Sequence, residues 1–137
     1  MPDKNNHEDV EYSRLVDSVD KLLWGFNYFD FNDSILYPAL EYYNNDDNMR
    51  HLWMRARCNF LIGMLKFNDN VNSDKPVANL LEALDILDEH FSTSYPQVCC
   101  LYSKIHYINS RIAFNHSDGN ACSYFANLGL YYAALAN

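Results

Sequence analysis

An all-α fold, six antiparallel helices paired as three helical hairpins, is what three features of the sequence predict. Apolar residues recur at intervals of three and four along most of the chain, the period of a helix with one face against a core. Clusters of Asn, Asp and Ser interrupt that period at 44–48, 68–74, 92–95 and 115–120, where the backbone must turn. One hairpin is also partly repeated: Leu22, Gly25, Phe26, Phe29 and Pro38 stand 38 residues before Phe60, Gly63, Met64, Phe67 and Pro76. Residues 1 to 8 are expected to be disordered. Residues 9 to 137 are expected to form one helical-repeat domain, with hairpins at about 9–44, 47–91 and 96–136.

In chain order, Tyr12, Leu15, Val16, Val19, Leu22, Leu23 and Phe26 line one face of a helix over residues 9 to 26, with Asp17 and Lys21 left to solvent. Asn32, Asp33 or Ser34 can cap a second helix running to about residue 44, which because of Pro38 either begins near Ser34 or has a loose opening turn before the proline. The aspartates of the 44–48 break are placed to cap a third helix, which extends to Phe67. This helix has two apolar faces. Met49, Trp53, Ala56, Phe60, Gly63, Met64 and Phe67 form the broad one, and Met54, Cys58, Leu61 and Leu65 the narrow one. Two apolar faces call for two sets of neighbours, which a layered array supplies.

Ser73 or Asp74 is expected to cap a fourth helix with Pro76 in its first turn and Val77, Leu80, Leu81, Leu84 and Leu87 turned inward. A fifth helix starts at about Pro96 and carries Leu101, Ile105, Ile108 and Ile112 at helical spacing. It echoes the third, since Tyr107, Ser110, Arg111 and Phe114 lie 47 residues after Phe60, Gly63, Met64 and Phe67. A sixth helix fills 121 to 136. Gly63 costs helical stability relative to alanine, by about 0.5 to 1 kcal/mol, so a close helix contact is expected there and at its counterpart Gly25.

The second hairpin resembles a tetratricopeptide repeat. Phe60, Gly63, Met64, Phe67, Pro76, Leu80 and Ala83 stand at the intervals that family uses for its large, small and aromatic packing positions. Met64 occupies the family's usual glycine, Pro76 its small residue and Asp88 its terminal proline. In the first hairpin Asn45 replaces the alanine, and in the third Ala121, Phe125 and Leu128 come two residues early. The chain is similar overall to divergent bacterial tetratricopeptide-like proteins. That resemblance implies a right-handed array whose first helices line a groove for peptides. It also implies an alternative role, the sensor or oligomerisation arm of a larger transcriptional regulator.

Composition narrows the function further. At 137 residues and 49% hydrophobic content the chain can bury a core without disulfides or metal. Its net charge of −8 repels nucleic acid and anionic lipid. No run is long enough to span a membrane, and the N-terminus has no apolar leader segment, so the chain as given reads as cytoplasmic, although a removed leader or anchor would leave no trace. Cys58, Cys99, Cys100 and Cys122 lack metal or redox spacing and are read as reduced core residues, with at most one of the adjacent Cys99 and Cys100 facing inward. None of the five histidines forms an H-x-x-x-H pair, no nucleophile motif or Gly-rich phosphate loop occurs, and Asp85, Asp88 and Glu89 read as a solvated stripe. No catalytic residue, metal or cofactor is therefore expected.

The expected function is a non-enzymatic protein-interaction scaffold that binds a protein or peptide. Its groove is placed at Leu61, Leu65, Ile108 and Ile112, with Arg55 and Arg57 at the rim for an acidic segment. From Gly119 to Asn137 no residue is charged. The large face of that helix, Ala121, Phe125, Leu128, Tyr132 and Leu135, is expected to close the third hairpin. Its small face, Cys122, Ala126, Gly129 and Ala133, is expected to accept a further helix, from a homodimer or from a C-terminal continuation.

Overall fold

Five α-helices follow one another through short turns: α1 (Asp33–Tyr43), α2 (Met49–Asp69), α3 (Pro76–His90), α4 (Pro96–Asn115) and α5 (Gly119–Ala136). The computed structural model describes residues 33 to 137, with side chains from Leu36 onward, and the described residues contain no strand. The expected disordered segment 1–8, the predicted helix over 9–26 and Gly25 lie outside them. Each helix packs on the next, and α2 also touches α4. The short turns make α3 antiparallel to both α2 and α4, so α2 and α4 run parallel with their C-terminal ends on the same side.

The boundaries follow local chemistry, with two corrections to the expected caps. Asn48, rather than an aspartate, caps α2 by accepting the His51 N–H at 2.9 Å, while Asp46 accepts the Asn48 N–H and shapes the turn. Neither Ser73 nor Asp74 caps α3 with its side chain; Ser73 Oγ takes the Lys75 N–H at 3.1 Å, and Pro76 opens the helix where a missing N–H costs nothing. Pro38 lies inside α1, which starts at Asp33, in keeping with the expected start near Ser34 rather than a loose turn before the proline.

Both apolar faces of α2 are covered. Ala56, Phe60 and Phe67 on one and Met54, Cys58 and Leu61 on the other are buried, although Met49 at the helix start is exposed. Gly63 meets α3 as expected: a Cβ built there would stand 2.9 Å from Leu80 Cδ2 and 3.0 Å from its Cγ. The inward face of α3 is turned from the one predicted. Leu80, Ala83, Ile86 and Leu87 are buried whereas Val77 and Leu81 face solvent, because the glycine notch fixes Leu80 as the central residue and the rest of the wheel follows it.

A polar ladder runs along the α2–α3 contact. Lys66 Nζ donates to Asn79 Oδ1 at 2.6 Å, Asn79 Nδ2 to Asn59 Oδ1 at 2.9 Å, and Asn59 Nδ2 to the Arg55 carbonyl at 3.0 Å. Asn59 is buried, so each of these bonds also avoids the cost of an unpaired amide.

At the end of α4 the N–H of Asp118 bonds to Ala113 O and that of Ser117 to Phe114 O, with Ser117 in the left-handed region at φ 59°. This is a Schellman ending, in which glycine ordinarily stands. Ser117→Gly is therefore expected to raise stability by about 1 kcal/mol, measured by urea denaturation. The same corner is fastened to the α2–α3 turn, since Asn115 Nδ2 donates to Val71 O at 2.9 Å and His116 Nε2 to Asn72 O at 2.8 Å.

Cys58 and Cys99 are buried and Cys100 is exposed, so one of the adjacent pair faces inward as expected, while Cys122 is half-buried rather than a core residue. Burial pushes the Cys58 thiol up to about 12 against the opposing Arg57 charge, leaving it a protonated packing residue.

Candidate protein-interaction groove

Parallel α2 and α4 touch only lightly, and a groove of about 660 Å³ opens between the C-terminal half of α2 and the middle of α4. Its α2 wall is Phe60, Leu61, Met64, Phe67 and Asn68. The opposite wall is Ser103, Lys104, Tyr107, Ile108 and Arg111 of α4. Three pairs in these walls, Phe60 with Tyr107, Leu61 with Ile108 and Met64 with Arg111, stand 47 residues apart, the offset at which α4 echoes α2. Two helices in one orientation and one register thus turn equivalent positions into a shared space. Phe114 departs from this pattern: its counterpart Phe67 is buried, while Phe114 faces solvent.

The lining is mostly apolar, with positive charge on the α4 side. Arg111 Nη1 donates to the Tyr107 hydroxyl at 3.3 Å, and Ser103 Oγ is committed to the Gly129 carbonyl at 2.9 Å. Lys104 and Arg111 are exposed at the edge, so the groove presents a cationic margin on a chain of net charge −8.

Of the residues expected to form the groove, Leu61 and Ile108 line it. Leu65 instead leans half-buried on the core, and Ile112 is buried away from the opening. Arg55 and Arg57 are not its rim. Arg55 donates to the carbonyls of Tyr43 and Asp46 and pairs with Asp47 at 3.1 Å, which secures the end of α1. Arg57 is buried, with Nη1 3.6 Å from Met54 Sδ and its guanidinium 5.8 Å from the Trp53 ring centre. The rim the sequence reading missed is Lys104 and Arg111, signalled only by their seven-residue spacing around Tyr107.

The small face of α5 is only partly open. Gly129 is buried against α4, where a Cβ would meet Ser103 O at 3.5 Å, Cys122 and Ala133 are half-buried beside it, and Ala126 is exposed. Ala121, Phe125, Leu128 and Tyr132 of the large face are half-buried on the same side, because the two faces adjoin on the helix wheel, whereas Leu135 is exposed. Tyr132 stacks on Tyr102 with ring centres 4.5 Å apart, and His106 lies between Tyr132 and Phe125 at 5.6 and 6.1 Å. Asp88 of α3, expected to be merely solvated, accepts the Tyr102 hydroxyl at 2.5 Å. Burial pushes the Tyr102 phenol up and the Asp88 charge adds to it, so Tyr102 stays a donor.

Among the described residues no group of three or more His, Cys, Asp or Glu is placed to hold a metal ion, and no helix is long and apolar enough to cross a membrane. Compared with family models, curated proteins and solved structures, the chain matches none.

Proposed function

We propose that this protein is a non-enzymatic interaction module, a tetratricopeptide-like helical array that holds a short acidic, partly apolar segment of another protein in the α2–α4 groove. The observation that carries this reading is the groove's construction, in which equivalent positions of two parallel helices face one cavity whose cationic edge contrasts with the acidic remainder of the chain. Apolar walls favour leucine-like anchors, and Lys104 and Arg111 favour carboxylates beside them.

The test uses a labelled helical 12-residue peptide with leucines at i, i+3 and i+7 flanked by glutamates, followed by fluorescence anisotropy. Binding with a dissociation constant on the order of 10 μM at low salt is expected, weakening as salt rises. Lys104→Glu with Arg111→Glu should weaken it at least about tenfold, a loss of about 1.4 kcal/mol, while Lys75→Glu outside the groove should not. Absence of binding, or equal affinity in the Lys104/Arg111 double variant, would overturn the reading.

A further inference from the structure

The stripe of α4 that walls the groove continues beyond it. Lys104, Tyr107, Arg111 and Phe114 follow one another at three, four and three residues, so they share one face of the helix. Tyr107 and Phe114 are 56% and 68% exposed, and Arg111 between them is exposed as well. Two uncovered rings about two turns apart, with a guanidinium between them, make an apolar surface interrupted at one point by positive charge. Phe114 stands 47 residues after Phe67, the offset of the groove's facing pairs, so it carries the α4 wall past Arg111 alongside the last turn of α2.

Within the groove, floor and flanks differ. Phe60, Leu61, Phe67 and Ile108 are buried, whereas Met64 is half-buried and Tyr107 exposed, so an incoming side chain meets a thioether from α2 and a phenol ring from α4. Both favour an aromatic guest: rings pack offset or edge to face, and methionine sulfur packs against a ring edge. Arg111 Nη1 donates to the Tyr107 hydroxyl at 3.3 Å, which ties the guanidinium to the rim beside that ring. A guanidinium has further N–H donors in a fork that suits a carboxylate. No residue lining the groove is acidic, so nothing there opposes such a carboxylate at short range.

We infer that the partner is a helical segment read in a fixed order along this stripe. An apolar residue lies on Phe114, a carboxylate three residues later meets Arg111, and an aromatic anchor four residues after that enters between Met64 and Tyr107. The order follows from a helix running antiparallel to α2 and α4, the direction in which its dipole opposes theirs. The inference rests on the peptide-binding reading and adds the chemistry of the anchor and the sequence of contacts. It also makes Phe114, outside the cavity, a specificity-determining residue.

Fluorescence anisotropy on the full chain tests it, with three labelled 16-residue helical peptides on a neutral alanine–glutamine background. The first carries leucine at position 3, glutamate at 6 and tryptophan at 10; the second has leucine in place of the tryptophan; the third is the first in reverse order. The first should bind about tenfold more tightly than the second and at least about fivefold more tightly than the third. Tyr107→Ala should erase the preference for tryptophan over leucine. Phe114→Ser should weaken the first peptide about fivefold, and Phe114→Leu, which keeps an apolar contact, should restore most of that loss. Phe114 faces solvent, so far-UV circular dichroism of both variants should match wild type, and the three peptides compared on the wild-type chain do not depend on any variant folding. If the leucine-anchored peptide binds but tryptophan adds nothing, or order makes no difference, or Phe114→Ser binds as wild type does, the inference falls while the peptide-binding reading stands. If none of the peptides binds, that reading falls and takes the inference with it.

Discussion

Gly63→Leu is expected to destabilise the protein by about 3 kcal/mol and lower its melting temperature by roughly 10 °C. A Cβ at this position already lies 2.9 Å from Leu80 Cδ2, and Leu80 is completely buried. The branched side chain that leucine adds has no solvent to enter, so α2 and α3 must separate or Leu80 must leave its rotamer. Separation would also stretch the ladder from Lys66 through Asn79 to Asn59, exposing the cost of unpaired buried amides. Gly63→Ala should fall between wild type and Gly63→Leu, because a gain of about 1 kcal/mol in helix propensity offsets part of the contact strain. Thermal and urea denaturation of the three proteins gives the order. A Leu variant as stable as wild type would mean that α2 and α3 do not meet at this residue.

Acidification is expected to loosen α5 from α4 through His106. This residue is only 6% exposed, is stacked among Tyr102, Tyr132 and Phe125, and has a buried Nδ1 with no hydrogen-bond partner. Burial lowers its pKa below the ordinary histidine value, with Asp88 opposing in part. A base whose folded pKa is depressed contributes no pH dependence above its unfolded value near 6.5, and stability is lost as pH falls from there toward the folded pKa. His106→Leu should flatten that acid limb. At neutral pH it removes an unpaired buried nitrogen worth about 1 to 3 kcal/mol and gives up stacking worth about 0.5 to 1.5 kcal/mol, so its stability should match or exceed wild type. Urea titrations at pH 7.5 and 5.0 decide the matter, and equal acid loss in both proteins would remove His106 from the account.

The sequence made the helices legible wherever one residue forced a choice. Gly63, Leu80 and Ala83 marked the α2–α3 contact correctly, since a glycine inside a helix requires something close by. The face of α3 was misread because its apolar residues span a broad arc from Ile86 through Leu80 to Leu81, so periodicity by itself could not separate Leu80 from Leu81. At the groove, Leu61 and Ile108 were legible from their burial period, but the basic rim was assigned to the wrong helix. Arg55 binds the backbone carbonyls of Tyr43 and Asp46, twelve and nine residues earlier, and a carbonyl has no signature in sequence. Arg57 was misplaced because a buried guanidinium over Trp53 reads, on a wheel, like a border charge. The α5 stripes adjoin rather than oppose, which a wheel drawn without a neighbour does not reveal.

The parallel course of α2 and α4 gives the groove a direction. Each helix carries a macrodipole equal to roughly half an elementary charge at either end, and here the two fields add instead of cancelling. A helical segment lying between them would be favoured with its own axis reversed, by about 0.3 to 1 kcal/mol for each favourable end. Its N-terminus would then lie beside the corner where Asn115 and His116 grip the turn at Val71 and Asn72. The cavity therefore has a polarity: it distinguishes a bound helix from the same helix threaded backwards, before any side chain is compared.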